Sequence, residues 1–328
     1  MPFETLRNLR PAFQGPHVGT NVIQAGLLLT ALGALLALAC WPLFGVAGAV
    51  IIAVVSALAV VALALRMPPP VAMWLYGARR HEPGSLNQED ALVADLAQRA
   101  ALARAPALYV VPSTMLSAFS VGSAQRSAIA VTETLLRRLT MREIAAILAH
   151  EISHACMGDL VVFGIADLVT RFAQVLYYFG LALAALNLWH LVTGDDLVSW
   201  WTIALFVLAP AVLNALQLSL SRGREFAADR AAALITGDPM GLASAISRLD
   251  VSSGAPWDDL LPPVPARKVP LPSLLRCPPP AEKRVARLHA LEVPPMPPLG
   301  IEEGPRISMV GVGPIEMRPR YRWPGVWF

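Results

Sequence analysis

The sequence predicts a mainly α-helical membrane protein, with four apolar spans interleaved with a polar part that contains a small β-sheet. Three observations predict it. Hydrophobic residues make up 55% of the 328 residues and charged residues only 15%, against roughly 25% charged in an average soluble domain. Four apolar regions, Val22 to Cys40, Leu43 to Leu65, Leu160 to Leu191 and Val198 to Leu220, are each long enough to cross a hydrocarbon core about 30 Å thick as a helix. Between the second and third lies a stretch polar enough to fold in water, with short strand-like runs and one strongly marked helix.

Only Trp41 and Pro42 separate the first two runs, which therefore read as a helical hairpin, preceded by Arg7 and Arg10. Ala37-Leu38-Ala39-Cys40 is loosely similar to a lipoprotein cleavage site, but the run is long, starts late and is followed at once by a second span, which favours retained helices. After Arg66, Asn87 with Glu89 and Asp90 marks the start of a helix to about Arg104, stopped by Pro106. Leu108 to Val111, Met115 to Val121 and Ser127 to Val131 read as three short strands. Thr140 and Glu143 form a capping box, and Ile144, Ile147, Leu148 and Ile152 then repeat at helical spacing, so His150 sits on a helix.

In the third apolar region Asp167 and Arg171, four apart, are expected to pair along one helix face. The link His190 to Leu197 carries Asp195 and Asp196 and no Lys or Arg, whereas Arg66, Arg79, Arg80, Arg222 and Arg224 flank the opposite ends. The positive-inside rule then puts the polar part in the cytoplasm and the Trp41-Pro42 turn on the far side. A polar helix follows from Leu220 to about Gly237-Asp238-Pro239, then another to about Leu249. More than half of the 29 prolines lie beyond Ser252, around a helix from Ala281 to Leu291, so the tail is expected to be extended or loosely ordered. The expected division is 1–66 (amino-terminal segment and hairpin), 67–159, 160–220 (second helical pair), 221–293, and a proline-rich 294–328 tail.

The net charge is +3 and the basic residues are scattered, with no Lys/Arg run interleaved with aromatics, which argues against nucleic-acid binding. Cys40, Cys156 and Cys277 are odd in number, far apart and in no CxxC spacing, which argues against a disulfide framework and a cysteine metal site. No internal repeat is visible, which disfavours a repeat-built transporter.

His150-Glu151-Ile152-Ser153-His154 matches H-E-x-x-H. Two histidines four apart lie on one helix face and can bind one zinc ion, and the glutamate beside them can take a proton from water in peptide-bond hydrolysis. The plain alternative is a chance match of solvated or buried histidines. A later helix offers Glu225, with Asp229 one turn beyond. Two His and one Glu form a known catalytic zinc set that leaves a position for water, and Asp229 can accept from the outward nitrogen of a ligating histidine. Otherwise both acids belong to an exposed face paired with Arg222, Arg224 or Arg230. Leu116 to Val121 reads either as an ordinary strand or as an edge strand that pairs with an extended substrate. The oxyanion-stabilising group is open between Arg222, Arg230 and a tyrosine or histidine from elsewhere.

His150 to His154 followed by Gly158-Asp159, and Ser221 to Arg230 read against S-R-x-R-E-F-x-A-D-R, resemble the signatures of the HtpX family. These are membrane zinc metallopeptidases related to the CAAX prenyl proteases, with a cytoplasmic gluzincin (HExxH zincin) domain interleaved with four transmembrane helices. The resemblance covers roughly Val22 to Leu291. It implies one Zn(2+) per chain bound by His150, His154 and Glu225, Glu151 as general base, and Asp229 supporting a ligating histidine. It also implies a bacterial inner (plasma) membrane protein, with its active site facing the cytoplasm, that cuts cytoplasmic regions of misfolded membrane proteins in quality control. Substrate contacts would fall on Ser117, Ala118, Phe119 and Ser120. The rival from another class is a catalytically inactive membrane scaffold or chaperone that keeps the metal site. Two departures stand out: Ser117-Ala118-Phe119-Ser120-Val121-Gly122 replaces N-A-F-A-x-G, and Leu275-Arg276-Cys277-Pro278 lacks the histidine that usually precedes the proline.

Overall fold

The first helix, α1 (His17–Arg66), is bent at Gly45, where φ is 68° and ψ 179°. The structure, a computed structural model, describes residues 17–81, 86–113, 115–193, 198–252, 280–294, 296–297, 299–300, 321–322 and 326–327. Arg7, Arg10, the Asp195-Asp196 link, Leu275 to Pro278 and most of the 294–328 tail lie outside the described residues.

The two arms of α1 fold back on each other: a Cβ placed on Gly33 would stand 3.9 Å from that of Ala53. The expected hairpin is therefore present, but its turn is at Gly45 rather than Trp41-Pro42. Pro42 stays within the helix, and the chain reverses at the residue that takes positive φ without a Cβ clash. Leu32 and Leu36 of one arm and Val60 of the other share a buried cluster with Val169 and Leu213 from the second pair of long helices.

That pair is α6 (Asp159–Thr193), apolar along most of its length, and α7 (Trp200–Thr236), which continues from an apolar stretch into a polar one. Among the described residues, three helices are long and apolar enough to cross a membrane, Gly19–Arg66, Asp159–His190 and Trp200–Gln217, the first of them folded into two arms. No break separates apolar and polar parts near Leu220: α7 runs on to a left-handed Gly237 (φ 72°). The separate polar helix expected from Leu220 is thus the second half of α7. Asp167 and Arg171 pair as expected, Oδ2 to Nε at 2.8 Å.

The polar part opens with α2 (Pro69–Leu75) and a two-residue strand β1 (Arg79–Arg80), which sequence reading did not foresee. Helix α3 (Asn87–Arg99) stops short of the expected Arg104. Its end is set not by Pro106 but by Ala101 in the left-handed region (φ 54°), with Leu102 N–H returning to Ala97 O and Ala101 N–H to Gln98 O. This is the glycine-type helix terminus formed by an alanine, so its usual sequence signal is missing.

Strands β2 (Ala107–Val111), β3 (Ala118–Gly122) and β4 (Ser127–Thr132) join β1 in a sheet of order β1-β2-β4-β3, with β2 parallel to β4 and the other pairings antiparallel. The expected strand from Met115 is shorter, beginning at Ala118. Gly122 (φ 110°) opens the β3–β4 turn, where a Cβ would lie 2.2 Å from Arg126 O. Thr132 then caps α4 (Glu133–Arg138), and Thr140 with Glu143 makes the predicted capping box of α5 (Met141–Cys156). Helix α8 (Pro239–Ser252) packs on α5, and α9 (Ala281–His289) packs in turn on α8 and α7. The main core joins α3, α5, α8 and the polar half of α7 through Leu96, Ile144, Leu148, Ile152, Ala232 and Leu242. In the tail, β5 (Tyr321–Arg322) pairs with β6 (Val326–Trp327).

Candidate metal centre and active site

Helix α5 carries His150, Glu151 and His154, and its apolar face, Ile144, Ile147, Leu148 and Ile152, is buried. With that face in the core, His150 and His154 share a side one turn apart, their ring centroids 4.8 Å from each other. The side they share faces α7, and there Glu225 meets them.

His150 Nε2 and His154 Nε2 are 3.2 Å apart. Glu225 Oε2 lies 3.5 Å from His150 Nε2, and Oε1 lies 3.7 Å from His154 Nε2. Among the described residues these three form the group of His, Cys, Asp or Glu side chains able to hold a metal ion. The spacing fits one: four-coordinate zinc with bonds of about 2.0–2.2 Å sets its ligand atoms roughly 3.3–3.6 Å apart. Two bare imidazole nitrogens at 3.2 Å, facing a carboxylate, also lack donors enough to satisfy one another, so a shared cation or proton belongs between them.

Each histidine turns its other nitrogen to a carboxylate. His154 Nδ1 lies 3.0 Å from Asp159 Oδ2 in hydrogen-bonding geometry. His150 Nδ1 lies 3.1 Å from Asp229 Oδ1, close in distance though not aligned as a hydrogen bond. These contacts point both Nε2 atoms at the shared space. The acids are held in turn by cations: Arg224 Nη1 donates to Asp159 Oδ1 at 2.8 Å, and Arg284 of α9 grips Asp229 through Nε at 2.7 Å and Nη2 at 2.6 Å. Arg284 Nη1 is also 3.4 Å from Glu225 Oε2, and Arg224 reaches Gln24 in the first arm of α1.

The electrostatics follow from this crowding. Burial works against the charged form of Glu225, but His150 and Arg284 outweigh it and hold the carboxyl down to about 2. Burial likewise opposes charge on His150, and the Asp229 and Glu225 carboxylates override it, pushing the imidazole up to about 10. For Asp229, too, burial opposes ionisation, and the hydrogen bonds from Arg284, with the nearby His150 imidazole, prevail and lower its pKa. The buried group Glu225, Asp229 and Arg284 thus has one negative charge in excess, which draws either a proton onto His150 or a cation between the three donors.

Of the residues singled out in the sequence, His150, His154, Glu225 and Asp229 come together in one buried site, with Glu151 beside them on α5. Ser120 of β3 reaches it as well, its Oγ donating to Glu151 Oε2 at 2.7 Å. Ser117, Ala118 and Phe119 have other placements. Ser117 pairs through its backbone with Thr132. Ala118 lies in β3 opposite Val131. Phe119 is buried against Tyr76 at 4.8 Å between ring centroids. Arg230 is exposed, and the side chain of Arg222 lies outside the described residues. Asp159 and Arg224 stand in the sequence as parts of the two signatures, and Arg284 in a short helix after the prolines; none of them is there assigned to the site.

The model of peptidase family M48 matches residues 86–292, which contain every side chain of this site except Gln24. Similar proteins named "Protease HtpX homolog" include one from Acaryochloris marina (strain MBIC 11017), 35% identical over 238 residues that cover 70% of this chain and 78% of its own. Another, from Pyrococcus furiosus, is 31% identical over 281 residues, covering 82% of this chain and 95% of its own. A third, from Desulfatibacillum aliphaticivorans, is 30% identical over 284 residues, covering 82% and 89%.

Proposed function

The chain belongs to peptidase family M48 and is a metalloprotease of the HtpX type, and from that premise we propose that it is a zinc-dependent endopeptidase using His150, His154 and Glu225 as ligands and Glu151 as general base. The observation that carries this is the spacing of the three donor atoms, 3.2, 3.5 and 3.7 Å, within a buried site of excess negative charge. A zinc ion there supplies a Lewis acid for the scissile carbonyl and brings the pKa of a water toward 7. Glu151 takes a proton from the attacking water and hands it to the departing amine. Asp159 and Asp229 fix the imidazoles, and Arg284 keeps Asp229 ionised.

The substrate is a polypeptide in extended form, laid along β3. That strand is at the edge of the sheet, paired on one side with β4. Thr132 N–H bonds to Ser117 O, and Ser123 and Arg126 exchange both backbone bonds, so by alternation the residues bonded to β4 are 117, 119, 121 and 123. The main-chain groups of Ala118, Ser120 and Gly122 therefore face the free edge. Beside it is a cleft bounded by Ser120, Val121 and Gly122 on the strand and by Leu160, Phe163 and Gly164 of α6. Backbone pairing there selects an extended chain rather than a sequence, which suits unfolded cytoplasmic regions of membrane proteins.

The arms of α1 with α6 and α7 make four antiparallel spans in a bacterial inner membrane, with the site on the cytoplasmic side. Arg66, Arg79 and Arg80 at the site's end support this orientation.

The experiment is hydrolysis of an unfolded polypeptide by the purified protein in detergent. Activity is expected to disappear on chelation and return with zinc. Glu151→Gln should lose turnover by at least about a hundredfold while retaining one zinc per chain, and Glu225→Ala should lose the zinc. Normal turnover by Glu151→Gln would remove that residue from the mechanism, and full zinc content in Glu225→Ala would remove the third ligand.

A further inference from the structure

Among the described residues, Ser120 alone donates a hydrogen bond to the Glu151 carboxylate, from Oγ to Oε2 at 2.7 Å, with both side chains buried. The geometry is imposed from behind. Phe119, the preceding residue, is packed against Tyr76 on one face of β3, and strand alternation turns the Ser120 side chain to the other face, toward α5. The same residue sits at a position whose backbone N–H and C=O face the free edge of the sheet. Ser120 therefore touches the base with its side chain and the substrate's path with its main chain.

We propose that Ser120 is a positioning residue for Glu151. A serine hydroxyl has one hydrogen, and an ionised carboxylate can only accept it. That bond engages one of the roughly four acceptor sites of the carboxylate, and the sites left free take the proton from water and return it to the leaving amine, while Ser120 keeps its own hydrogen throughout. The carboxylate is thereby held in one orientation relative to the strand on which the polypeptide lies. A hydroxyl serving only to tie β3 to α5 would instead show its effect in folding and metal retention. This rests on Glu151 being the base, as proposed above.

The test compares the full-length wild type, Ser120→Ala, Ser120→Thr and Glu151→Gln, all zinc-loaded, on one internally quenched peptide cleaved by the wild type. Zinc affinity is measured separately by competition with a chelator. Ser120→Ala is expected to lower kcat about tenfold, a part of the roughly 10²–10⁴-fold that a general base contributes as a whole, with KM within about twofold and zinc affinity unchanged. Ser120→Thr, which restores a hydroxyl on a strand that accepts β-branched residues, should recover most of the lost kcat. Wild-type kcat in Ser120→Ala, a loss confined to KM, a threonine variant as slow as the alanine one, or zinc affinity falling in step with activity would each overturn the proposal. If Glu151→Gln is inactive while Ser120→Ala is fully active, only the role of Ser120 fails. If the zinc-loaded wild type cleaves nothing, the protease mechanism fails and takes this role with it.

Discussion

Asp159 and Asp229 hold the two histidines from different directions, and each is itself held by an arginine. Asp159 is fully buried between His154 and Arg224, so neutralising it removes the carboxylate that orients the imidazole and strands a buried guanidinium. Asp159→Asn is expected to weaken zinc binding by about 10–100-fold, the usual effect of losing such a carboxylate, as measured by chelator competition. Arg284→Lys should weaken it less, because an ammonium retains charge near Asp229 but cannot form the two-pronged contact. Wild-type affinity in Asp159→Asn would show that Gly158-Asp159 serves only the helix junction. At this scale the sequence was legible where chemistry is local. His150 and His154 are fixed by their i, i+4 spacing, whatever the rest of the fold does. Ser120 meets Glu151 across 31 residues and Arg284 meets Asp229 across 55, and no periodicity encodes which side chain faces which across such a distance.

The helix bearing HExxH is locked by its own amino terminus. Glu143 accepts from Thr140 N–H with Oε2 at 2.8 Å, while its Oε1 accepts from Ser244 at 2.6 Å and lies 3.0 Å from Arg248 of α8. One side chain thus caps α5 and docks α8. Nearby, Asp238 lies at the α7–α8 corner, where it caps α8 through Gly241 N–H at 3.0 Å and pairs with Arg142 of α5 at 2.7 Å. Arg142 lowers the carboxyl pKa of Asp238 from its usual 3.8. A folded pKa below the unfolded one stabilises above that value, and the stabilisation is lost as pH falls below 3.8 through the depressed folded value. Asp238→Asn, which keeps a capping side chain but loses the charge, should therefore cost up to about 1 kcal/mol at neutral pH for this half-exposed pair. The cost should fade as the pH falls below 3.8, as followed by denaturant unfolding. A cost that persists unchanged in acid would assign it to the cap instead. The capping box was legible because Thr140 and Glu143 are three residues apart. The end of α3 was not, since an alanine occupies the left-handed position that glycine usually marks, and the two-residue β1 is too short to show alternation.

Across the whole molecule, the candidate site lies at the margin of the apolar bundle. The His154 ring stands 5.0 Å from that of Phe163, one turn into the apolar length of α6, and Arg224 ties the site to Gln24 of α1. At the other end of the bundle, Ala39, Cys40 and Ala49 around the α1 bend pack with Phe206, and Asn187 clamps the backbone of Val198 across the α6–α7 link. Exposed Trp41 and Phe44 at the bend and Trp189 and Trp201 at the link share that end, while exposed Trp74 follows α1 at the site's end. Aromatic side chains half in water and half against an apolar surface favour membrane interfaces, so in the proposed orientation these positions would mark the two boundaries. The alternation of apolar and polar stretches was readable from composition, but the continuity of α7 through Leu220 was not, because a helix does not need to break where its solvent changes. In a cysteine-free background, cysteines introduced at Trp74 and at Trp189 should react with a membrane-impermeant thiol reagent from opposite sides of sealed vesicles. Trp74→Cys is expected to react from the cytoplasmic side and Trp189→Cys from the outside. Labelling of both from one side would mean that α6 does not cross the bilayer, and the substrate would then have to approach a surface-bound enzyme rather than one set into the membrane.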